Sequence, residues 1–235
     1  MITLLTKYNS YIGREYASAL IGAGINFVIL AFGDHPPVEE TEEKRCAGIW
    51  TPTSMSEIEI ARRVLRFRST NELSCRRYLQ TGELGLGIQG DVGEILDTGL
   101  IKQFQSGIIN FHPGDLPMYR GCSAPEWQIY EEKPVVCTAH FLDEGIDTGD
   151  IIEKRVLKLD YNSYHQMRAS LYPAVAKFVV DLSKQYDTNQ TFSSVSQGKG
   201  CYRRPMDDVA LRHIAEIIDK ARTKLLMTKF LPSSN

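Results

Sequence analysis

Short apolar segments recur along the chain, and each is bounded by polar or glycine-rich residues. An apolar run of this kind, about four to eight residues long, is typical of a buried β-strand. The pattern predicts strands over Ile2–Thr6, Ile25–Phe32, Leu84–Gln89, Gly107–Phe111 and Val135–Leu142.

Between these runs, apolar side chains recur at the spacing of an amphipathic helix. Ile12, Tyr16 and Leu20 share one face of a predicted helix, which Gly22 terminates. Pro173 lies inside the longest helical pattern, so we expect that helix to be kinked or divided there. Helices are predicted over Ile12–Ile21, Ser56–Ser69, Asn71–Leu79, Ser123–Tyr130 and Tyr164–Lys184.

The alternation of strands and helices favours an α/β fold with a mostly parallel sheet flanked by helices. In such sheets, functional side chains gather at the carboxyl ends of the strands. After Gln185 the composition becomes polar, and a further amphipathic helix is predicted over Asp208–Lys224. We therefore expect a main domain over residues 1–185 and a C-terminal extension over residues 186–235.

The charge and cysteine content disfavour several kinds of partner. A net charge of −2 gives no basic surface for nucleic acid. The five cysteines are scattered without a C-x-x-C pair, which is typical of reduced thiols rather than disulfides or a zinc site. No apolar run approaches the roughly 18 residues that span a bilayer, and the N-terminus lacks a signal-peptide pattern. The sequence predicts a cytoplasmic protein that binds no metal, nucleic acid or membrane.

Most of the chemistry-bearing residues lie between residues 107 and 151. Asn110 and His112 alternate at the carboxyl end of a predicted strand, so both side chains point to one side of it. The loop after the next predicted strand holds Asp143, Glu144 and Asp147. A neutral histidine near a carboxylate can act as a general base, and an amide can stabilise an oxyanion. This set fits acyl transfer to an amine, although loop residues that only form hydrogen bonds would look the same.

Three motifs in this stretch resemble the signature of the formyltransferases that use N10-formyltetrahydrofolate. N-F-H-P, starting at Asn110, matches the family's Asn-x-His-Pro. L-P-M-Y-R-G, starting at Leu116, matches Leu-Pro-x-Tyr-Arg-Gly, and D-T-G, starting at Asp147, matches Asp-x-Gly. The motifs follow the family's order and nearly its spacing, and the likeness is clear from about residue 84 to 152.

The resemblance implies a Rossmann-like formyltransferase fold with a small C-terminal hairpin and helix. It also implies that Asn110, His112 and Asp147 are the catalytic residues. In this interpretation Asn110 stabilises the oxyanion, together with His112 if that ring is protonated. A neutral His112 would instead take the proton of the attacking amine. Asp147 orients His112 or a water and assists proton transfer to the folate nitrogen.

The segment Gly85–Gly90 spells G-x-G-x-x-G, the phosphate-binding turn of dinucleotide-binding proteins. That turn requires a preceding strand and a helix opening inside it, whereas Leu84–Gln89 is itself predicted to be a strand. Dinucleotide binding is therefore disfavoured. By resemblance, the segment lies beside the pterin ring of the folate, and the implied cofactor contacts are Gln89, Gly90, Asp91, Val92, Gly93 and Asp143.

Three amine acceptors occur among the enzymes that the chain resembles. Methionyl-tRNA formyltransferases carry an additional C-terminal barrel and a basic surface, for which this chain offers few residues and no excess of Lys and Arg. Glycinamide ribonucleotide formyltransferases have a glycine-rich phosphate loop after the first strand, which Thr6–Gly13 lacks. The remaining branch formylates amino sugars carried on nucleotides. We favour that branch, with a dTDP-linked 4-amino-4,6-dideoxyhexose as acceptor.

The amino-sugar branch has a late aromatic and arginine-rich segment, here Tyr202–Pro205, that often forms a hairpin used in dimerisation. The resemblance therefore implies a homodimer. Lys7, Asn9, Ser10 and Arg120 are candidate substrate contacts. Two other functions stay open, a formyltetrahydrofolate hydrolase and a folate-binding protein without catalysis. His140 is interpreted as a packed or hydrogen-bonded residue rather than a second base.

Overall fold

The computed structural model describes residues 1–33 and 41–230, with side chains described for residues 1–33 and 43–222. Its strands are β1 Ile2–Lys7, β2 Phe27–Phe32, β3 Val64–Phe67, β4 Leu86–Gln89, β5 Ile108–His112, β6 Arg120–Gly121, β7 Val136–Phe141, β8 Ile151–Val156 and β9 Tyr202–Arg203. Its helices are α1 Tyr11–Gly22, α2 Thr41–Cys46, α3 Met55–Ala61, α4 Leu73–Thr81, α5 Thr98–Ile101, α6 Ala124–Tyr130, α7 Tyr164–Asn189 and α8 Asp208–Phe230. None of these helices is long and apolar enough to span a bilayer.

The main sheet has seven strands in the order β3-β2-β1-β4-β5-β7-β8. Its first five strands pair in parallel, which confirms the predicted α/β fold. β7 pairs antiparallel with β5, and β8 pairs antiparallel with β7. The strand order reverses direction between β1 and β4, so the carboxyl ends of these two strands flank the switch point of the sheet.

Apolar side chains cover both faces of the sheet. Along β1, Leu4 packs into a core cluster with α1 and α7, while Leu5 packs into a second cluster with α4 and α5. Successive side chains of a strand point to opposite faces, so one strand contributes to both layers. β2 is accordingly apolar and buried throughout, as expected of a central strand in a parallel sheet.

The predicted helix over Ser56–Ser69 is wrong in its second half. α3 ends at Ala61, and Val64–Phe67 forms the edge strand β3 beside β2. Val64 and Leu65 fit helical spacing, but a short apolar run does not distinguish a helix from a strand. The backbone hydrogen bonds that these residues form with β2 stabilise the strand instead of the helix.

Of the kink or division expected at Pro173, the division does not occur, because α7 runs continuously from Tyr164 to Asn189. The helix therefore crosses the expected domain boundary at residue 185. Met167, Leu171, Val175, Phe178 and Leu182 are all buried along its inner face. Their burial offsets the hydrogen bond that proline cannot donate.

The expected C-terminal hairpin does not form in the described residues. Instead, β9 pairs in parallel with β6 and aligns Tyr202 with Arg120. The backbone N–H of Cys122 donates to the Arg203 carbonyl at 3.0 Å, which extends this pairing. α8 follows as predicted and contacts α6 and α7. The extension thus joins the loop after β5 instead of pairing with itself.

Candidate active site

β5 and β7 place three polar side chains together at the edge of the parallel strands. Their antiparallel register aligns Asn110 with His140, and His112 with Thr138. Directly opposed residues of an antiparallel pair project to the same face. Asn110, His112 and His140 therefore share one face, as the alternation of Asn110 and His112 predicts for the first two.

Asp147 reaches this face from the loop after β7. Its backbone is in the left-handed region with φ 54°, a conformation that aspartate adopts more readily than most residues. Its Oδ2 accepts a hydrogen bond from the Gly121 N–H at 2.8 Å and lies 3.5 Å from His112 Nδ1. The structure thus brings the three predicted catalytic residues into one cluster.

The tautomer of His112 follows from its partner. Nε2 lies 2.5 Å from the Tyr119 carbonyl, which can only accept, so Nε2 carries the proton. In the neutral ring Nδ1 then holds the lone pair, and it faces the Asp147 carboxylate. A proton taken up at Nδ1 would be stabilised by that negative charge.

Burial sets the protonation states of this pair. His112 is only 6% exposed, and desolvation lowers its pKa below the ordinary 6.5 despite the nearby Asp147 and the Tyr119 hydrogen bond. Burial opposes ionisation of Asp147 too, but its hydrogen-bonding surroundings, including the Gly121 N–H, outweigh burial and leave the pKa of that carboxyl below its ordinary value. At pH 7 the cluster therefore holds a neutral histidine beside an ionised aspartate.

His140 is the residue whose contribution to the site the sequence did not reveal. It is buried and hydrogen-bonded as interpreted, because its Nδ1 donates to the Phe141 carbonyl at 2.8 Å. That bond leaves the Nε2 lone pair to accept from Asn110 Nδ2 at 3.2 Å. The second N–H of Asn110 lies 3.4 Å from Asp147 Oδ1. His140 thus orients the Asn110 amide, and only the β5–β7 register could have indicated this.

A cavity of about 150 Å³ opens beside the cluster. The predicted cofactor contacts Gln89 and Asp143 line it together with the predicted catalytic residues Asn110 and Asp147. The sequence did not single out its other lining residues, which are Glu94, Ile95, Leu96, Ile101, Leu142, Gly145 and Ile146. An apolar cavity with a few polar groups suits a flat heteroaromatic ring with hydrogen-bonding edges.

The other four predicted cofactor residues do not line this cavity. Val92 is 3% exposed and packs in the second core cluster, and Gly93 lies against the Lys7 side chain. The Gly90 carbonyl accepts a hydrogen bond from Thr6 Oγ1 at 2.6 Å. β4 runs through the G-x-G-x-x-G segment and ends just before Gly90, so this segment is not the turn of a dinucleotide site.

The fourth of these residues, Asp91, contacts two of the predicted substrate residues at the carboxyl end of β1. Asp91 Oδ2 lies 2.9 Å from Lys7 Nζ and accepts a hydrogen bond from Ser10 Oγ at 3.0 Å. Ser10 also caps α1 by accepting from the Gly13 N–H. Asn9 is half-buried beside them. A carboxylate therefore already holds the start of α1 at the switch point.

Arg120, the remaining predicted substrate contact, points towards the C-terminal extension. Its Nη2 donates to Gln197 Oε1 at 2.9 Å and to the Gly198 carbonyl at 3.3 Å. No group of three or more His, Cys, Asp or Glu side chains in the described part of the chain is arranged to hold a metal ion.

A family model described as formyl transferase matches residues 13–177, well over half of the chain. The chain belongs to this family. The matched region holds Asn110, His112 and Asp147 and six of the seven strands of the main sheet in full, all but β1. Membership confirms the predicted family, and the matched domain is a formyltransferase domain.

Curated relatives belong to two kinds of formyltransferase. The methionyl-tRNA formyltransferase of Ruminiclostridium cellulolyticum is 33% identical over 144 residues, which cover 60% of this chain and 43% of that protein. The trifunctional purine biosynthetic protein adenosine-3 of Drosophila melanogaster is 27% identical over 126 residues, or 53% of this chain and 9% of that protein. The matched part of the chain thus spans less than half the length of either relative.

Solved structures of sugar N-formyltransferases share the fold. A sugar N-formyltransferase from Shewanella aligns with a TM-score of 0.57 and 19% identity, covering 88% of this chain and 78% of that one. An N-formyltransferase from Helicobacter canadensis, solved with folinic acid and dTDP-3-aminofucose, aligns with a TM-score of 0.61 and 14% identity. That alignment covers 92% of this chain and 80% of the other. These likenesses confirm the α/β formyltransferase fold.

Proposed function

We propose that this protein transfers a formyl group from N10-formyltetrahydrofolate to the amino group of a nucleotide-linked amino sugar. The observation that carries the proposal is the cluster of Asn110, neutral His112 and ionised Asp147 beside an apolar cavity. An oxyanion donor, a base and a carboxylate that stabilises the protonated base are what formyl transfer to an amine needs.

The pterin end of the donor fits the cavity lined by Gln89 and Asp143. The polar edges of the ring would meet these side chains, and Ile95, Leu96 and Ile101 would contact its faces. Bound there, the donor supplies an electrophilic formyl carbon beside Asn110. The formyl oxygen would accept from Asn110 Nδ2 in place of the long 3.4 Å contact with Asp147.

His112 moves the proton of the reaction. As the acceptor nitrogen bonds to the formyl carbon, His112 Nδ1 takes the proton that this nitrogen loses. Asp147 Oδ2, 3.5 Å away, stabilises the resulting imidazolium. The bond from the formyl carbon to the folate nitrogen then breaks, and the proton passes from His112 to that nitrogen. Atoms and charges balance without a covalent enzyme intermediate.

A nucleotide-linked amino sugar, with a dTDP-linked 4-amino-4,6-dideoxyhexose favoured, is the proposed acceptor. The likeness to sugar N-formyltransferases along most of the chain supports it. Lys7, Asn9, Ser10 and Arg120 are proposed to contact the acceptor, directly or through a water.

Glycinamide ribonucleotide and methionyl-tRNA are the alternative acceptors, because curated relatives include both kinds of enzyme. The deciding experiment offers N10-formyltetrahydrofolate with dTDP-, UDP- and GDP-linked amino sugars, glycinamide ribonucleotide and charged tRNA. The readouts are release of tetrahydrofolate and a formyl mass gain on the acceptor. We expect a gain on one sugar nucleotide alone. Tetrahydrofolate release without any amine would show a hydrolase instead, and silence throughout would favour a folate-binding protein.

The protein is further proposed to act as a cytoplasmic homodimer that pairs through the C-terminal extension. Two apolar side chains of the extension, Tyr202 and Val209, are 53% and 66% exposed in the single chain. Burying them against a second copy would remove apolar surface from water.

A further inference from the structure

We propose that Gln197, in the polar connection before β9, is a positioning residue that holds the Asp147 carboxylate in its catalytic place. The inference rests on the proposed function for its kinetic consequence, but its structural part does not depend on which acceptor is used.

Both the Nε2 and the Oε1 atoms of the Gln197 side chain form hydrogen bonds with residues around Asp147. Nε2 donates to the Asp147 carbonyl at 3.1 Å and to the Gly149 carbonyl at 2.6 Å. Oε1 accepts from Arg120 Nη2 at 2.9 Å and Nε at 3.3 Å. The amide therefore spans the D-T-G turn on one side and β6 on the other.

These bonds close a ring around Asp147. Its backbone carbonyl binds Gln197, its side chain accepts from the Gly121 N–H at 2.8 Å, and Gly121 directly follows Arg120. Arg120 binds Gln197 again. Asp147 has a left-handed backbone, a conformation that needs support from its surroundings. Gln197 supplies that support from a segment far along the chain.

The segment that carries Gln197 is fixed without its side chain. On one side, the backbone of Val195 exchanges two hydrogen bonds with Ile151, each 2.8 Å long. On the other, the Cys201 N–H donates to the Pro117 carbonyl at 3.0 Å. A substitution at Gln197 therefore leaves the connection in place and removes only the contacts of the amide.

Two variants separate the two halves of the ring. Gln197→Met keeps the length of the side chain and removes all its hydrogen bonds. Gln197→Glu still accepts from Arg120 but cannot donate to the Asp147 and Gly149 carbonyls. Gln103→Met is the matched control, because the Gln103 side chain, just after α5, donates a hydrogen bond to the Gly99 carbonyl and does not contact Asp147.

The first readout is hydrogen exchange of the Gly121 amide by NMR, which needs no acceptor. We expect exchange to speed up by about tenfold or more in Gln197→Met and Gln197→Glu. In both variants the Asp147 carboxylate moves away, and the hydrogen bond that protects the Gly121 N–H is lost. The control should match the wild type, and all melting temperatures should stay close together. Unchanged Gly121 exchange in both Gln197 variants would overturn the proposal, whether or not an acceptor is found.

The second readout is the split between kcat and KM, with N10-formyltetrahydrofolate and the sugar nucleotide that the wild type formylates. Misplacing a catalytic group should lower kcat by about 10- to 100-fold while KM for both substrates stays within a few-fold. Wild-type kcat in Gln197→Glu would mean that only the Arg120 contact matters and would overturn the role assigned to the amide donors. A rise in KM alone would assign Gln197 to substrate binding instead and would equally overturn it.

Discussion

Two backbone carbonyls determine where the protons lie in the site. The Tyr119 carbonyl fixes the proton of His112 on Nε2, and the Phe141 carbonyl fixes the proton of His140 on Nδ1. The lone pairs of both rings therefore face the cluster around Asp147. A backbone carbonyl cannot donate, so it holds the neutral ring in one tautomer.

The Asn110 amide is the oxyanion donor of the proposed reaction, so its removal should slow catalysis. We expect Asn110→Ala to lower kcat by about 100- to 1,000-fold, the usual loss for one oxyanion donor. Steady-state kinetics with the accepted sugar nucleotide measures it. Asn71→Ala is the control, since Asn71 is exposed and its Oδ1 only accepts from Arg76. A turnover near that of the wild type would rule Asn110 out of this role.

The lowered pKa of His112 predicts the acid limb of the pH profile. Burial lowers the pKa of His112 below 6.5, so more than half of the rings are neutral and able to accept a proton at pH 6.5. Activity is therefore kept as pH falls through 6.5 and is lost only below it. We expect kcat/KM, measured from about pH 5 to 8, to show an acid midpoint below 6.5.

The acceptor amine also titrates, and a His112→Asn variant separates the two effects. Its residual activity should retain only the ionisation of the amine. A wild-type midpoint at or above 6.5 that is absent from the variant would contradict the burial argument.

At the scale of elements, the site depends on how closely α1 approaches β1 and β4. A Cβ added at Gly13 would lie 1.8 Å from Thr6 Oγ1 and 2.9 Å from the Gly90 carbonyl. The helix start therefore requires glycine there for contact, not for a special backbone angle. This close approach also places Ser10 within reach of Asp91.

Two alanine substitutions in α1 should have different effects on stability. Gly13→Ala should lower the free energy of unfolding by about 1–3 kcal/mol, because the added methyl overpacks the contact with β1. Gly22→Ala meets nothing within 4 Å and should be neutral or stabilising by up to about 1 kcal/mol. Urea unfolding measures both, and equal effects would show that the contact at Gly13 is not tight.

At the scale of the whole molecule, the proposed dimer predicts a mass of twice the single chain in sedimentation equilibrium. Replacing Tyr202 and Val209 together by Glu should shift the protein to monomer, because charges would enter the buried interface. Ile60→Glu is the control, since Ile60 is 88% exposed on α3, outside the extension. A wild-type protein that sediments as a monomer at micromolar concentration would refute the dimer.

Local patterns predicted most of the main sheet, since the strands β1, β2, β4, β5 and β7 all fall on predicted runs. The failures have a common cause. Val64–Phe67 became a strand, and α7 continued past Pro173, because pairing and burial outweighed local preference in both places. The C-terminal segment likewise paired with β6, whose position the local sequence does not encode.

The sequence by itself determined the α/β class, the family and the residues Asn110, His112 and Asp147, because strand periodicity and motif spacing are local properties of the chain. Only the tertiary structure decided how these residues are held. The antiparallel turn of β7 sets His140 against Asn110, and the extension sets Gln197 against Asp147. These contacts join residues 30 and 50 positions apart, and their geometry arises from strand register and packing. Register is fixed by the face that each strand buries and by the turns that join the strands, and both take effect only when distant segments pack together.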